Sequence, residues 1–177
     1  MPPAVSTLQT PTVYAQELLD LAATAVASAV GGPISRRYLS PGRPAADCEQ
    51  LTVTLISIGD APMAALSSIG AGYRHITGAL NLLGFLVTVF RDCVPVIEDT
   101  RYVPSAEDIN AAGVEAQEDV WAIWTAVRKA QVAEELFGGA CDHLFFDGAL
   151  ALETEGSFAG WEIEFRAEIA GIAANGS

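Results

Sequence analysis

The chain has 177 residues, of which 51% are hydrophobic and 18% charged, and its formal net charge is −13. Nine Lys and Arg against 22 Asp and Glu exclude a nucleic-acid-binding face, which needs clustered basic side chains. The length predicts a single domain over residues 1–177, with a loose leader at 1–9 and a loose tail at 171–177.

The first predicted element is an amphipathic helix. Thr10 followed by Pro11 is typical of a helix N-cap and first helical position. Apolar side chains recur from there at three- and four-residue spacing as far as Ala29. The sequence Gly31-Gly32-Pro33 is typical of residues that stop a helix, so we predict that the helix ends there.

Two strands are predicted next. Residues 36–40 have the pattern of a short strand, and the proline- and glycine-rich residues 41–44 predict a loop. Over residues 51–58, apolar side chains alternate with threonines and then shift phase, which predicts a strand with a bulge or close to its end. Small residues dominate 59–72 and predict a second loop.

Residues 80–89 are apolar at both odd and even positions. A strand with this pattern is covered on both faces and lies centrally in its sheet. A buried helix is the alternative, but Gly84, Thr88 and the β-branched Val87 and Val89 favour a strand.

A long helix is predicted from Ser105 to about Phe137. One apolar stripe consists of Ile109, Ala112, Ala116, Val120, Ile123 and Val127. Trp121 and Trp124 lie on another side of the helix, at 100° per residue. Since charged residues are few, some apolar surface is expected to be covered by a subunit contact, and Trp121 and Trp124 are the candidate interface residues.

Two final strands form a predicted hairpin, at residues 143–152 and 161–169, with a turn near 155–157. The second alternates apolar and charged residues without a break, so it should have one apolar face and one acidic, solvated face bearing Glu162, Glu164 and Glu168. The predicted fold is α+β, with a mainly antiparallel sheet packed against an N-terminal helix and a long central helix.

The possible chemistry is sparse. Cys141, Asp142 and His143 are adjacent, but no paired spacing typical of zinc ligands accompanies them, even with Cys48 and Cys93. A Cys–His nucleophile pair, from Cys93 or Cys141 with His75 or His143, is formally available. Buried free thiols explain the cysteines better. We therefore predict no enzyme, no catalytic or metal-binding residues and no cofactor.

Three widely spaced cysteines do not form a secreted disulfide framework. The N-terminus has no basic region followed by an apolar run, and the longest apolar run is shorter than the ~20 residues of a transmembrane helix. These features predict a soluble intracellular protein without a membrane partner.

An ordered series of short motifs carries a family resemblance. The motifs are SPGRPAADCEQLTV at 40–53, RDCVPV at 91–96, PSAEDINAA at 104–112, DVWAIW at 119–124 and GSFAGWEIEF at 156–165. In this order and spacing, over most of residues 14–170, they resemble the tail terminator, or head–tail joining, proteins of long-tailed bacteriophages (siphophages).

The resemblance implies a structural virion protein, assembled in the host cytoplasm. It would be one subunit of a homo-oligomeric ring, commonly a hexamer, at the head–tail junction. The ring would cap the tail tube, contact the tail tube protein and the head-completion or stopper protein, and pass DNA through its bore without specific binding. Glu162, Glu164 and Glu168 are candidate lumen-facing residues, because acidic side chains repel phosphate.

Two alternatives remain open at this point. One is another phage neck or tail component, such as a stopper or the tail tube subunit, which would use the same acidic, ring-forming surface. The other is a small thiol hydrolase using Cys141 and His143.

Overall fold

The computed structural model describes residues 9–45, 48–60, 81–92, 105–152 and 158–169. The elements in chain order are α1 (Pro11–Ala27), β1 (Arg37–Leu39), β2 (Gln50–Asp60), β3 (Asn81–Asp92), α2 (Ala106–Val132), a 3₁₀ turn (Leu136–Gly139), β4 (Cys141–Leu152) and β5 (Phe158–Ile169). Several predicted features lie outside the described residues: leader residues 1–8, loop residues 61–72, His75, Cys93, the turn at 155–157 and the tail at 171–177.

The strands form a five-stranded sheet in the order β1-β2-β3-β5-β4. β1 pairs with β2 in parallel, and the three other pairings are antiparallel. Both helices pack on the sheet. The predicted α+β fold with a mainly antiparallel sheet is therefore confirmed.

The two faces of the sheet differ in what covers them. Odd-numbered residues of β3 and β5, such as Phe85 and Phe165, pack into the core with α1 and α2. Even-numbered residues of the same strands lie on the other side, which we call the distal face. The sheet therefore separates a helix-covered core from a face that carries most of the polar strand residues.

Helix α1 follows the apolar spacing seen in the sequence. Its buried side is formed by Tyr14, Leu18, Leu19, Ala22 and Val26. Thr10 is the N-cap residue and Pro11 begins the helix, as predicted, although the Thr10 hydroxyl makes no capping hydrogen bond. The helix ends four residues before Gly31.

Strand β2 contains the predicted bulge. Its register with β3 shifts between Leu55 and Ser57. Gly84 lies opposite the shift, and a Cβ atom there would overlap the Ser57 hydroxyl. Glycine at position 84 therefore lets the bulged strand approach β3. Residues 81–92 are a strand, so the alternative of a buried helix for this segment is wrong.

Helix α2 ends at Val132, before the predicted end near Phe137. Glu134 and Phe137 both have positive φ angles, and the chain turns back through Gly138 and Gly139. The Phe137 ring is buried, with its centroid 5.0 Å from that of Tyr14 and 5.6 Å from that of Phe85. Burying a phenylalanine contributes about 1.5–3 kcal/mol, which offsets the roughly 1–2 kcal/mol that a left-handed backbone costs.

The helices of the described residues range from 4 to 27 residues in length. None of them combines the length and the apolar composition that crossing a bilayer requires.

Candidate functional site

The outer side of α2 carries an exposed apolar stripe. Val114, Trp121 and Val132 are all exposed. Their spacings of seven and eleven residues place them within about 20° of one line along the helix, at 100° per residue. We call this line the α2 stripe. It lies away from the core stripe of the same helix, in which Ile123 and Val127 are completely buried.

Trp121 is held in place although 63% of its surface is exposed. Its ring stacks on Trp124, with centroids 5.0 Å apart and an interplanar angle of 28°. Trp124 meets the edge of Phe146 at 6.3 Å, and Phe146 contacts the buried Phe165 at 5.8 Å. This chain of rings connects an exposed tryptophan to the core. The structure thus brings together the two predicted interface residues.

A shallow pocket of about 240 Å³ lies beside this chain of rings, between α2 and the hairpin strands. It is lined by Trp124, Arg128, Leu144, Phe146 and Phe165. β4 is an edge strand of the sheet, and Phe145, Phe146 and Leu150 are exposed along it. Aromatic residues, Met and arginine are the types enriched at protein–protein interfaces, so this end of the subunit has the composition of a contact surface.

The glutamates of β5 all point to the distal face, as the alternation predicted. The expectation that this face is solvated is wrong for two of them, because Glu162 is only 5% exposed and Glu168 only 7%. β5 lies between β3 and β4, so Thr88 and Leu150 flank Glu162 on both sides. Alternation identifies which residues share a face, but it does not indicate how much of that face meets water.

Residues 40–45 cover part of the distal face. An Arg43 guanidinium nitrogen lies 3.0 Å from a Glu162 carboxylate oxygen. The Gly42 carbonyl accepts a hydrogen bond from the Thr54 hydroxyl at 3.1 Å, and the Ala45 carbonyl accepts one from the Gln50 amide. This segment therefore crosses from β2 towards β5.

The distal face remains acidic after its ion pairs are counted. Arg166 binds Asp147 through two hydrogen bonds, and Arg43 binds Glu162. Glu164 and Glu168 take part in no ion pair within the described part of the chain. A pocket of about 300 Å³ opens here and includes Arg43, Asp147, Glu162 and Glu164 in its lining.

An arginine that the sequence reasoning did not single out links four elements of the core. Arg91, at the end of β3, is 4% exposed, and Asp119 of α2 is completely buried. The guanidinium donates two hydrogen bonds to Asp119, of 2.8 and 3.1 Å, and one of 2.8 Å to Glu49. It also donates to the carbonyls of Gly31 and Gly32 beyond α1, at 3.1 and 2.7 Å.

All five guanidinium donors of Arg91 are thus used. Burial opposes the charge, but the hydrogen bonds to Asp119 and Glu49 and their negative charges outweigh it and raise the pKa of Arg91. The group fixes the C-terminal end of α1 to the sheet and to α2. Its role is structural.

In the Cys141–His143 pair, the thiol is hydrogen-bonded to the main chain. The Cys141 thiol donates to the backbone carbonyl of His143, with the atoms 3.5 Å apart. Burial, followed by the charges of Asp142, Glu168 and Glu17, raises the pKa of Cys141 to about 12. A protonated thiol is a poor nucleophile. Of the other candidates, Cys48 accepts a hydrogen bond from Arg36, whereas Cys93 and His75 lie outside the described residues.

Within the described residues, no cluster of three or more His, Cys, Asp or Glu side chains could hold a metal ion.

No protein-family model and no curated protein matches this chain. Among solved structures, the chain is similar to one from the "virion of native gene transfer agent (GTA) particle". The two share 16% sequence identity with a TM-score of 0.48, over 92% of this chain and 100% of that chain.

Proposed function

We propose that this protein is a structural component of a phage virion, acting as the tail terminator at the head–tail junction. Its copies form a ring, a hexamer in our proposal, that caps the tail tube and joins it to the head-completion or stopper protein. DNA passes through the bore of the ring without specific binding. In this role the protein is not an enzyme and carries no cofactor, and its ring assembles in the host cytoplasm before joining the virion.

The observation that carries the proposal is the α2 stripe with its supporting rings. Burying a large apolar side chain contributes about 1.5–3 kcal/mol, and an exposed tryptophan forgoes most of this free energy until a partner covers it. A rigid, exposed tryptophan beside other aromatic side chains is typical of residues that dominate the free energy of a protein–protein contact. Trp121 and Trp124 are therefore our proposed subunit interface. The ordered motifs resembling siphophage tail terminators give this contact surface its place in a ring.

The distal face provides the surface for the bore. We assign Glu162, Glu164 and Glu168 to the lumen-facing side, with Glu164 the most accessible of the three to water. Duplex DNA carries one negative charge per about 1.7 Å of helix axis. A surface with excess carboxylates repels it over about 8–10 Å at ordinary ionic strength, so the DNA slides past without being bound.

The raised pKa of Cys141 argues against a thiol hydrolase that uses Cys141 and His143. The thiol is held protonated by burial and neighbouring carboxylates, whereas an activated cysteine has a lowered pKa. The remaining alternatives, a stopper or a tail tube subunit, belong to the same class of virion proteins and are separated by the experiment below.

The decisive experiment locates the protein in assembled particles. We expect a labelled copy of the chain, imaged by electron microscopy, to appear as one ring between the tail tube and the head. Many stacked copies along the tail would identify a tube subunit instead. A chain that stays monomeric at high concentration and binds no tail tube would contradict the ring.

The role of the distal face is tested separately with purified rings. Glu164→Lys reverses one accessible charge without disturbing the buried Glu162 and Glu168, and we expect the variant ring to retard duplex DNA on a gel at low salt. Glu135→Lys makes the same charge change in an exposed loop after α2 and is the matched control. Equal DNA binding by both variants would contradict the lumen assignment.

A further inference from the structure

The two helices lie towards opposite ends of the sheet. α1 packs mainly on β1 and β2, whereas α2 packs on β3, β4 and β5. Since β1 and β4 are the two edge strands, the subunit has an α1 flank at one edge and an α2 flank at the other. Contacts between two different flanks of identical copies are heterologous and can close into a ring.

The C-terminal half of the α2 flank, from Trp121 to Val132, is apolar and basic, whereas Glu115 and Glu118 precede it on the same helix. From Trp121 to Val132, the charged residues of the helix are Arg128 and Lys129. Both are exposed, and both lie within about 60° of the α2 stripe at 100° per residue. This half of the stripe therefore presents two positive charges between the exposed Trp121 and Val132.

On the other flank, the groove beside α1 is apolar and acidic. A groove of about 470 Å³ runs between α1 and β1, and its lining includes Val13, Glu17, Asp20 and Leu39. Val13 is exposed there. Glu17 and Asp20 are the charged residues of α1, which contains no Lys, Arg or His. The groove thus has the charge opposite to that of the C-terminal half of α2, around a similar apolar surface, and the exposed Arg37 of β1 is outside its lining.

We propose that the α2 flank of one copy docks into the α1 groove of the next. Arg128 and Lys129 face Glu17 and Asp20, and the apolar side chains of the two flanks are buried between the copies. The inference rests on the proposed ring and names the surface that its interface residues meet.

Two oppositely charged variants test the contact. Arg128→Glu with Lys129→Glu reverses the charge of the C-terminal half of α2, and Asp20→Lys puts one positive charge into the α1 groove, beside the remaining Glu17. Each variant alone adds like-charge pairs to every contact between copies, so we expect the concentration needed for ring assembly to rise roughly five- to tenfold. Glu17 is left unchanged because its carboxylate accepts a hydrogen bond from the backbone N–H of Phe137.

Mixing the two variants distinguishes this contact from others. In an alternating ring, every α2 flank with reversed charge meets an α1 groove that carries the Asp20→Lys change, and every remaining contact is wild type. We therefore expect a 1:1 mixture to assemble at close to the wild-type concentration, with mixed rings of alternating subunits identified by native mass spectrometry. Circular dichroism of each variant checks that it is folded.

The control is Glu164→Lys, which changes the charge as Asp20→Lys does but on the distal face. When the Glu164→Lys variant is mixed with the Arg128→Glu, Lys129→Glu variant, we expect rings that contain Glu164→Lys subunits alone. If wild-type copies form rings but the 1:1 mixture does not restore assembly, the proposed α2–α1 contact is wrong, while the proposal of a ring is unaffected. If the mixture does not restore ring assembly and Asp20→Lys alone does not weaken it, the α2 stripe instead contacts the α2 stripe of another copy or a different protein. If wild-type copies form no ring, both proposals fail.

Discussion

Gly31 lies against the guanidinium of Arg91 so closely that no side chain fits between them. A Cβ atom at Gly31 would be 2.8 Å from Arg91 Cζ, well inside ordinary van der Waals contact. The guanidinium cannot move aside without breaking hydrogen bonds. Its five donors are directed at Asp119, Glu49 and the carbonyls of Gly31 and Gly32. The glycine is thus required by the arginine rather than by its own backbone angles.

Gly31→Ala should therefore destabilise the protein. The added methyl group must displace the guanidinium from its hydrogen bonds, and we expect a loss of about 1–3 kcal/mol in the free energy of unfolding, as for overpacked sites. Gly42→Ala is the matched control, since a Cβ at Gly42 meets nothing within 4 Å. Urea unfolding followed by tryptophan fluorescence measures both. Equal stability of the two variants would contradict the close packing.

Asp119→Ala should cost more. It leaves the buried Arg91 with one of its two carboxylate partners, and breaking a buried ion pair typically costs about 3–5 kcal/mol. Replacing both residues with apolar ones, Arg91→Met with Asp119→Leu, removes the uncompensated charge. We expect the double variant to be more stable than Asp119→Ala in urea unfolding. A double variant as unstable as the sum of its single changes would show that the two residues do not act as a pair.

Much of the fold was predictable because its signals are periodic. The alternation in β5 and the phase shift in β2 gave both strands and the bulge, and the glycines after Phe137 marked the turn that follows α2. The end of α2 was placed too late. The sequence continues with good helix formers after Val132, and only the tertiary gain from burying Phe137 explains the break.

The sites were less predictable, for two physical reasons. Exposure depends on segments distant in sequence, so the burial of Glu162 under Arg43 could not be read from β5 alone. Arg91 and Asp119 did carry a signal, since each occupies a core position of its own element, after Val89 on β3 and between Ala116 and Ile123 on α2. Opposite charges at two core positions indicate a buried ion pair. Which charge meets which depends on how the elements pack, and the sequence does not give that packing.

Cys141 should react slowly with iodoacetamide at neutral pH. Burial and three nearby carboxylates raise its pKa to about 12, so almost none of it is thiolate at pH 7. We expect labelling of Cys141, followed by peptide mass mapping, to be far slower in the folded protein than in urea. Labelling of the folded protein as fast as that of the unfolded chain would contradict the raised pKa and reopen the possibility of an activated thiol.

The same thiol makes stability depend on alkaline pH. Its pKa is raised in the folded state from an ordinary value of 9.0 to about 12. The unfolded chain therefore loses this proton first, and the free energy of unfolding should fall as pH rises from about 9 towards 12, whereas Cys141 gives it no pH dependence below about 9. Cys141→Ala should remove this part of the slope in urea unfolding measured across that range. An unchanged slope would assign the pH dependence to other groups.

Trp121→Ala and Ile123→Ala should separate assembly from stability. Trp121 is mostly exposed, so its loss removes only the stacking on Trp124, worth about 0.5–1.5 kcal/mol. Ile123 is two residues away and completely buried, and its truncation should cost about 2–5 kcal/mol of unfolding free energy. We expect Trp121→Ala to abolish rings at concentrations where Ile123→Ala, kept below its melting temperature, still forms them. Multi-angle light scattering gives the masses. Rings of undiminished stability in Trp121→Ala would move the subunit contact away from the α2 stripe.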